Sequence, residues 1–218
     1  AAMHGHLCCL KYLHGAKCPW NATVCSAAAS KNQLACLKFA VEHGCPTSWE
    51  TVREAAAAGH LQCLSYLYES DCAWSSVACA AAAHFGHLEC LQFLHSHGCP
   101  WDGSCVEEAV FNDHLHCLQF ALDIGCFCSP EAALTAVTLD RVECLQSLLS
   151  HRCALADDLC DVAAAHGHVR CLQLLHAAGC PWGSLTCEAA ARNRSLACLQ
   201  YAHDNGCRWD HHAVRAAV

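Results

Sequence analysis

The sequence repeats itself every 27 residues, eight times over, with no insertion or deletion. That register limits what the chain can fold into more than any single residue does. Cys9, Cys36, Cys63, Cys90, Cys117, Cys144, Cys171 and Cys198 fill one column of the repeat, each followed by a leucine, from Leu10 to Leu199. Cys18, Cys45, Cys72, Cys99, Cys126, Cys153, Cys180 and Cys207 fill a second column, nine residues further on. Self-similarity at a period of roughly 20 to 50 residues marks a stacked array, in which each unit buries its apolar face only against its neighbours. The boundaries predict a single array over 1–218. Its units are 21–47, 48–74, 75–101, 102–128, 129–155, 156–182 and 183–209, flanked by partial units 1–20 and 210–218.

Within a unit the punctuation is helical. The column of Asn21, Ser48, Ser75, Asp102, Ser129, Ala156, Gly183 and Asp210 is dominated by side chains that cap helix N-termini. Ser129-Pro130-Glu131 strengthens this start, because proline is tolerated in the first helical turn. The first helix is expected to run to about Ser30, with alanine pairs such as Ala28-Ala29 and Ala82-Ala83 allowing a close neighbour. A turn follows at Gly5, Asn32, Gly59, Gly86, Asp113, Asp140, Gly167 and Arg194, where Gly, Asn and Asp suit a tight reversal. The second helix begins near Leu34 and sets Leu34, Leu37 and Ala40 on one stripe beside Cys36. It closes at Gly44, Gly98, Gly125, Gly179 and Gly206, and Pro19, Pro46, Pro100 and Pro181 bar continuation. The prediction is an all-α chain: an α-solenoid of about eight stacked helix-turn-helix repeats.

The run Gly86-His87-Leu88-Glu89-Cys90-Leu91-Gln92-Phe93-Leu94, preceded by Ala82-Ala83 and closed by Gly98-Cys99, resembles the core of the ankyrin repeat. Gly59-His60-Leu61 and Gly167-His168-Val169 carry the same signature, and the resemblance extends over the whole chain. The unit is shorter than the family's ~33 residues. The segment corresponding to the β-hairpin finger is replaced by Cys-Pro-Trp, as in Cys99-Pro100-Trp101. The resemblance implies a curved helical solenoid that recognises proteins without the finger's contribution.

Composition sorts the function classes. With 55% apolar residues the chain is too hydrophobic to be disordered. No apolar run approaches the ~18 residues of a membrane span. The N-terminal Ala1-Ala2-Met3-His4-Gly5-His6 lacks the blocks of a secretory signal. Residues 42–161 hold seventeen Asp and Glu against Arg53, Arg141 and Arg152, whereas Lys11, Lys17, Lys31 and Lys38 make the first 41 residues basic. The acidic middle argues against nucleic acid and for a protein partner with a basic patch. Same-column cysteines of adjacent units, on helices about 8–10 Å apart, lie beyond the ~7 Å Cα limit for a disulfide. A reducing, intracellular setting, cytoplasmic or nuclear, is therefore expected. The chain starts and stops inside a first helix, at Ala1 and Val218, which suggests a segment of a longer array or end faces that stack on another subunit of a larger assembly.

The abundant Cys and His raise zinc as an alternative, a metal-stabilised repeat protein. The columns argue otherwise: where Cys25 recurs the chain places Val52, Val106, Ala133 and Val214, and the histidine column of His6, His60, His87, His114 and His168 accepts Gln33, Arg141 and Ser195. Free cysteine packs as a small hydrophobe, so core filling is the simpler reading, and no metal or other cofactor is expected. The Cys126-Phe127-Cys128 trio reads as loop variation. No phosphate loop, Gly-x-Ser-x-Gly or His-Glu-x-x-His motif occurs, and no catalytic residues are assigned. Trp20, Trp74, Trp101, Trp182 and Trp209 are read as plugs between repeats rather than base-stacking platforms, and the row Gln92, Gln119, Gln146, Gln173 and Gln200 as a solvated face.

Function is expected where the repeat varies. The two positions before the inter-helix turn change from unit to unit, and in ankyrin-like stacks they tend to lie on the concave side. His84, Phe85, Phe111, Asn112, His166, Arg192 and Asn193 are the residues predicted to meet a partner. Phe85 and Phe111 are the leading candidates, as aromatic groups at variable positions; the plainer alternative is that both fill gaps against a neighbouring helix. The expected role is noncatalytic protein binding or scaffolding, with a structural subunit of a larger assembly as a further alternative.

Overall fold

The computed structural model describes residues 1–208 and residue 215. Trp209, Asp210, Val214, Val218 and all of the partial unit 210–218 except Arg215 lie outside the described residues. After a short 3-10 turn at Ala2–His4, helix α1 spans Leu7–Gly15. Seven helical hairpins follow: α2 (Ala22–Ala29) with α3 (Leu34–Glu42), α4 (Trp49–Ala57) with α5 (Leu61–Glu69), α6 (Ser76–His84) with α7 (Leu88–Ser96), and α8 (Ser104–Phe111) with α9 (Leu115–Asp123). Then come α10 (Pro130–Thr138) with α11 (Val142–Ser150), α12 (Leu159–His166) with α13 (Val169–Ala177), and α14 (Ser184–Arg192) with α15 (Leu196–Asp204). Among the described residues every regular element is helical, so the chain is an all-α solenoid of helix-turn-helix repeats.

Contacts group the chain into two compact units, Ala1–Cys126 and Phe127–Val218. In the first, α2, α4, α6 and α8 pack side by side as one layer and α1, α3, α5, α7 and α9 as a second. In the other, α10, α12 and α14 form one layer and α11, α13 and α15 the second. The alanine pairs explain the first layer: Ala28, Ala29, Ala55, Ala56, Ala82 and Ala83 are fully buried, and their single methyl groups let helix backbones approach. Leucines fill the second. Leu37, Leu64, Leu67, Leu91, Leu94, Leu145, Leu148, Leu172 and Leu175 are all inaccessible or nearly so. Each such burial stabilises the fold by roughly 1.5–3 kcal/mol. The predicted stripe is narrower than expected at its N-terminal end, where Leu34 is half-buried and its equivalent Leu196 is 64% exposed.

Both ends of each helix follow from local chemistry. Asn21 Oδ1 accepts the Thr23 amide at 3.1 Å, and Asp102 Oδ1 accepts the Ser104 amide at 3.0 Å. Where the cap column holds Ala156, with no side-chain acceptor, the expected start shifts two residues later, to a helix beginning at Leu159 with Asp158 as its boundary residue. The helix after Asp102 also begins one residue late, at Ser104. At the other end, the amide of the residue after the turn reaches back over five positions, His87 to Ala82 at 2.9 Å and Cys99 to Leu94 at 3.0 Å. This is the Schellman closure, and it needs a left-handed residue. Both turn columns supply one: Gly86 has φ +74° and Gly98 φ +75°, while Asn32, Asp71, Asp113, Asp140, Arg152 and Arg194 adopt the same region at φ between 52° and 62°.

The Cys-Pro-Trp connection is bound to the next repeat through its indole. Trp20 stacks on His14 at 4.3 Å and meets Phe39 edge-on at 6.2 Å; Trp182 stacks on His176 at 3.9 Å and lies 5.9 Å from Tyr201. Trp74 and Trp101 make equivalent contacts with Tyr68 and Phe93, and with His95 and Phe120. Each half-buried indole thus ties two successive second-layer helices together, as a plug between repeats would. The glutamine row is exposed from Gln92 to Gln200.

Gly86 and Gly98 differ in one respect that stability can report. A Cβ on Gly98 would meet nothing within 4 Å, whereas on Gly86 it would lie 2.7 Å from His114 Nδ1. Gly98→Ala is expected to cost about 1–2 kcal/mol, the left-handed penalty alone. Gly86→Ala should cost more, because the imidazole of the next repeat must also move. Urea denaturation of both variants tests this, and equal losses would contradict it.

Candidate functional site

The repeated thiols and imidazoles are placed by the fold to satisfy backbone groups. Thiols of the Cys45 column donate to the carbonyl that starts the first helix of the same repeat: Cys45 to Asn21 at 3.2 Å, Cys99 to Ser75 at 3.4 Å, Cys126 to Asp102 at 3.1 Å and Cys207 to Gly183 at 3.2 Å. In the Cys36 column, Cys63 reaches Asn32 Oδ1 at 3.6 Å and Cys171 reaches Asp140 Oδ1 at 3.4 Å, side chains of the preceding turn. Imidazoles bridge repeats as well, with His87 Nε2 3.1 Å from the Ala57 carbonyl oxygen and His168 Nδ1 2.8 Å from that of Val137. Burial pushes the thiols of Cys63, Cys90 and Cys117 up to about 11 and those of Cys160 and Cys171 up to about 12. They are neutral thiols near pH 7. Among the described residues no three Cys, His, Asp or Glu side chains converge to hold a metal ion.

A surface with a different character runs along the first-layer helices. Residues at i, i+3, i+4 and i+7 of each such helix share a face turned away from the alanine-packed side. In the first unit Arg53 of α4, Val77, Ala80, Ala81 and His84 of α6, Phe85 at the C-terminal cap of α6, and Glu108 of α8 line an open groove of about 310 Å³. His84 Nδ1 sits 2.7 Å from Glu108 Oε2 and 3.0 Å from the Asn112 side-chain nitrogen, so α6 is tied to α8 and its C-terminal cap. In the second unit a groove of about 350 Å³ is lined by Asp158, Asp161, Val162, Ala165, Leu185, Glu188, Ala189 and Arg192. Arg192 pairs with Glu188 at 2.6 Å. Large apolar side chains stand open on this face or at its edge: Phe85 is 53% exposed, Phe111 55% and Leu185 65%.

The predicted contact residues fall in both compact units. His84 and Phe85 line the first groove, Asn112 braces it, and Phe111 is exposed at the end of α8. Arg192 lines the second groove. Asn193 packs beside Gly167, where an added Cβ would come within 2.8 Å of its amide nitrogen, and His166 stacks on His168 at 5.5 Å. Sequence reasoning did not single out Arg53, Val77, Glu108, Asp158, Asp161, Leu185 or Glu188. Their signal was present: the columns of Val77, Ala80 and Ala81 change class from unit to unit with the spacing of one helix face.

The close thiol contacts cross between columns rather than run within one: Cys187 Sγ lies 3.3 Å from Cys207 Sγ, and Cys25 and Cys79 lie beside Cys45 and Cys99. All are free thiols.

No protein-family model matches the sequence, and no curated protein matches it. The fold is similar to the crystal structure of the human ASB11 ankyrin repeat domain, with a TM-score of 0.61 and 22% sequence identity, covering 72% of this chain and 84% of that one. The likeness is one of fold: the chain has the architecture of an ankyrin repeat array. Among the described residues no helix is long and apolar enough to cross a membrane.

The imidazole contacts leave a pH signature. Burial is the main cause that lowers the His60 pKa below its ordinary 6.5, opposed by its bond to the Ser30 carbonyl and reinforced by His87 and Lys31. The unfolded chain takes up that proton first, so stability present above about pH 6.5 is lost as pH falls through this value toward the folded pKa. His60→Gln, which copies Gln33 of the same column, should flatten the decline in Tm between about pH 7 and 5. Parallel declines in the two proteins would refute the assignment.

Proposed function

We propose that the chain is a noncatalytic protein-recognition module that binds a basic, partly apolar segment of a protein partner along the exposed face of its first-layer helices. The observation that carries this reading is the coincidence, within each compact unit, of variable positions, an open groove, carboxylates and exposed apolar side chains, with Phe85 at the groove and Phe111 at the end of α8 in the first and Leu185 at the groove in the second. The opposite sides of these helices are committed to packing and hold only small or apolar residues, such as Cys25, Val52 and Ala133. Glu108, Asp158, Asp161 and Glu188 supply charge for a cationic partner, while the phenylalanines and leucine supply the apolar area in which binding energy concentrates. His84 and Asn112 in the first unit, and His166, Arg192 and Asn193 in the second, complete the proposed contact set. A role as a scaffold in a larger assembly uses the same surface. The cysteine usage is in keeping with a cytosolic or nuclear setting.

Affinity capture with the intact chain as bait, followed by titration of the captured protein, tests the reading. The Phe85→Ala/Phe111→Ala variant should melt within about 0.5 kcal/mol of the parent, because both side chains are surface groups. It should bind at least about tenfold more weakly, equivalent to ~1.4 kcal/mol, and binding by the parent should weaken with added salt. Loss of folding without selective loss of binding, or unchanged affinity, would sink the proposal.

A further inference from the structure

The column headed by Cys25 is a small apolar position in which the chain uses either cysteine or an aliphatic residue: Cys25, Cys79, Cys160 and Cys187 alternate with Val52, Val106 and Ala133. Wherever cysteine stands there, the cysteine twenty residues later in the same repeat is its neighbour. Cys187 Sγ and Cys207 Sγ are 3.3 Å apart in a pocket shared with Ala202 and Trp182. Cys25 lies beside Cys45 and Cys79 beside Cys99, close enough for each pair to interact electrostatically, and Cys160 Sγ lies 4.0 Å from the carbonyl oxygen of Cys180. Packing alone needs only one sulfur here, since valine serves in the other repeats.

We propose that Cys25–Cys45, Cys79–Cys99, Cys160–Cys180 and Cys187–Cys207 are four thiol pairs that convert to intrachain disulfides on exchange with a low-molecular-weight disulfide of the glutathione type. Each bond ties the first helix of a repeat to the connection that leaves its second helix. The outer member starts the reaction: Cys45, Cys99, Cys180 and Cys207 keep between 4% and 9% of their surface open, whereas Cys25, Cys79, Cys160 and Cys187 keep 1% or none. The outer thiol loses its proton and attacks one sulfur of the small disulfide, forming a mixed disulfide and expelling one small thiolate. The inner thiolate then attacks the outer sulfur, the protein S–S bond forms, and the second small thiolate leaves. Two protein thiols are oxidised, one small disulfide is reduced to two thiols, and the two protons end on those thiols. A hydrogen bond from Cys79 holds the Cys99 thiol below its ordinary value, while burial pushes Cys207 up to about 12.

Exposure of the native full-length chain to glutathione disulfide, followed by alkylation and peptide mass mapping, tests this directly. The expected result is linked peptides joining Cys187 to Cys207, Cys79 to Cys99, Cys25 to Cys45 and Cys160 to Cys180, each two hydrogens lighter, reversed by dithiothreitol, with a higher Tm in the oxidised protein because the unfolded chain is constrained. Valine at Cys25, Cys79, Cys160 and Cys187, copying Val52 and Val106, should fold and lose the oxidant-dependent rise in Tm. Linkage only among the exposed Cys8, Cys9 and Cys18, a Cys79–Cys105 bond, glutathione adducts without closure, or an undiminished rise in the valine variant would overturn the proposal. The peptide map of the parent chain decides the question even if the variant fails to fold.

Discussion

Each repeat can bury its alanines, leucines and cysteines only against the repeat before it and the repeat after it, and the rest of the structure depends on that constraint. A helix of eight or nine residues is too short to persist alone in water. It persists here because one side meets a neighbour in its own layer and another meets its hairpin partner. The turn residues make this repeatable. Two left-handed positions in every 27 residues, such as Gly86 and Gly98, reverse the chain after the same number of helical turns each time. A change in spacing would carry Ala82 and Leu91 away from the faces that receive them.

Cysteine fills a role in this stack that alanine or valine could not fill completely. Its size suits a gap between helices, and its S–H also donates. The Asn21 carbonyl already accepts the Val24 amide at 3.0 Å, and the Cys45 thiol uses its second lone pair at 3.2 Å. The same weak donor meets the carboxylate of Asp140 from Cys171. Each bond is modest, yet it recurs along the stack at one register, so its contribution scales with the number of repeats. Histidine does the equivalent work across repeats, and its ring occupies the space left by the absent Cβ of the preceding glycine, as His87 does over Gly59.

Most of the fold was legible in the sequence because its signals are local. Asn21 and Ser75 mark helix starts, glycine marks the reversals, and the leucine column marks the buried face. The start at Leu159 was not legible in the same way, since Ala156 offers no side-chain acceptor and the helix begins where packing allows. The functional face was only half legible. Two adjacent variable positions pointed to His84, Phe85 and Arg192, but Val77, Glu108, Asp158 and Leu185 join them only when helices from successive repeats lie side by side. The contact between Cys187 and Cys207 was hidden for a similar reason: twenty residues of hairpin must fold before the two columns meet.

Translational stacking has a consequence that a conventional globular core does not share: a whole period can be removed without disturbing the register of what remains. Deletion of residues 75–101, one unit inside the first compact body, should leave helicity per residue unchanged and unfolding cooperative, with a lower denaturation midpoint because one interface has gone. Deletion of residues 75–94, which breaks the period, should abolish cooperative unfolding. Collapse of helicity in the in-register deletion, or equal tolerance of the two, would show that the repeats are not held by their neighbours alone.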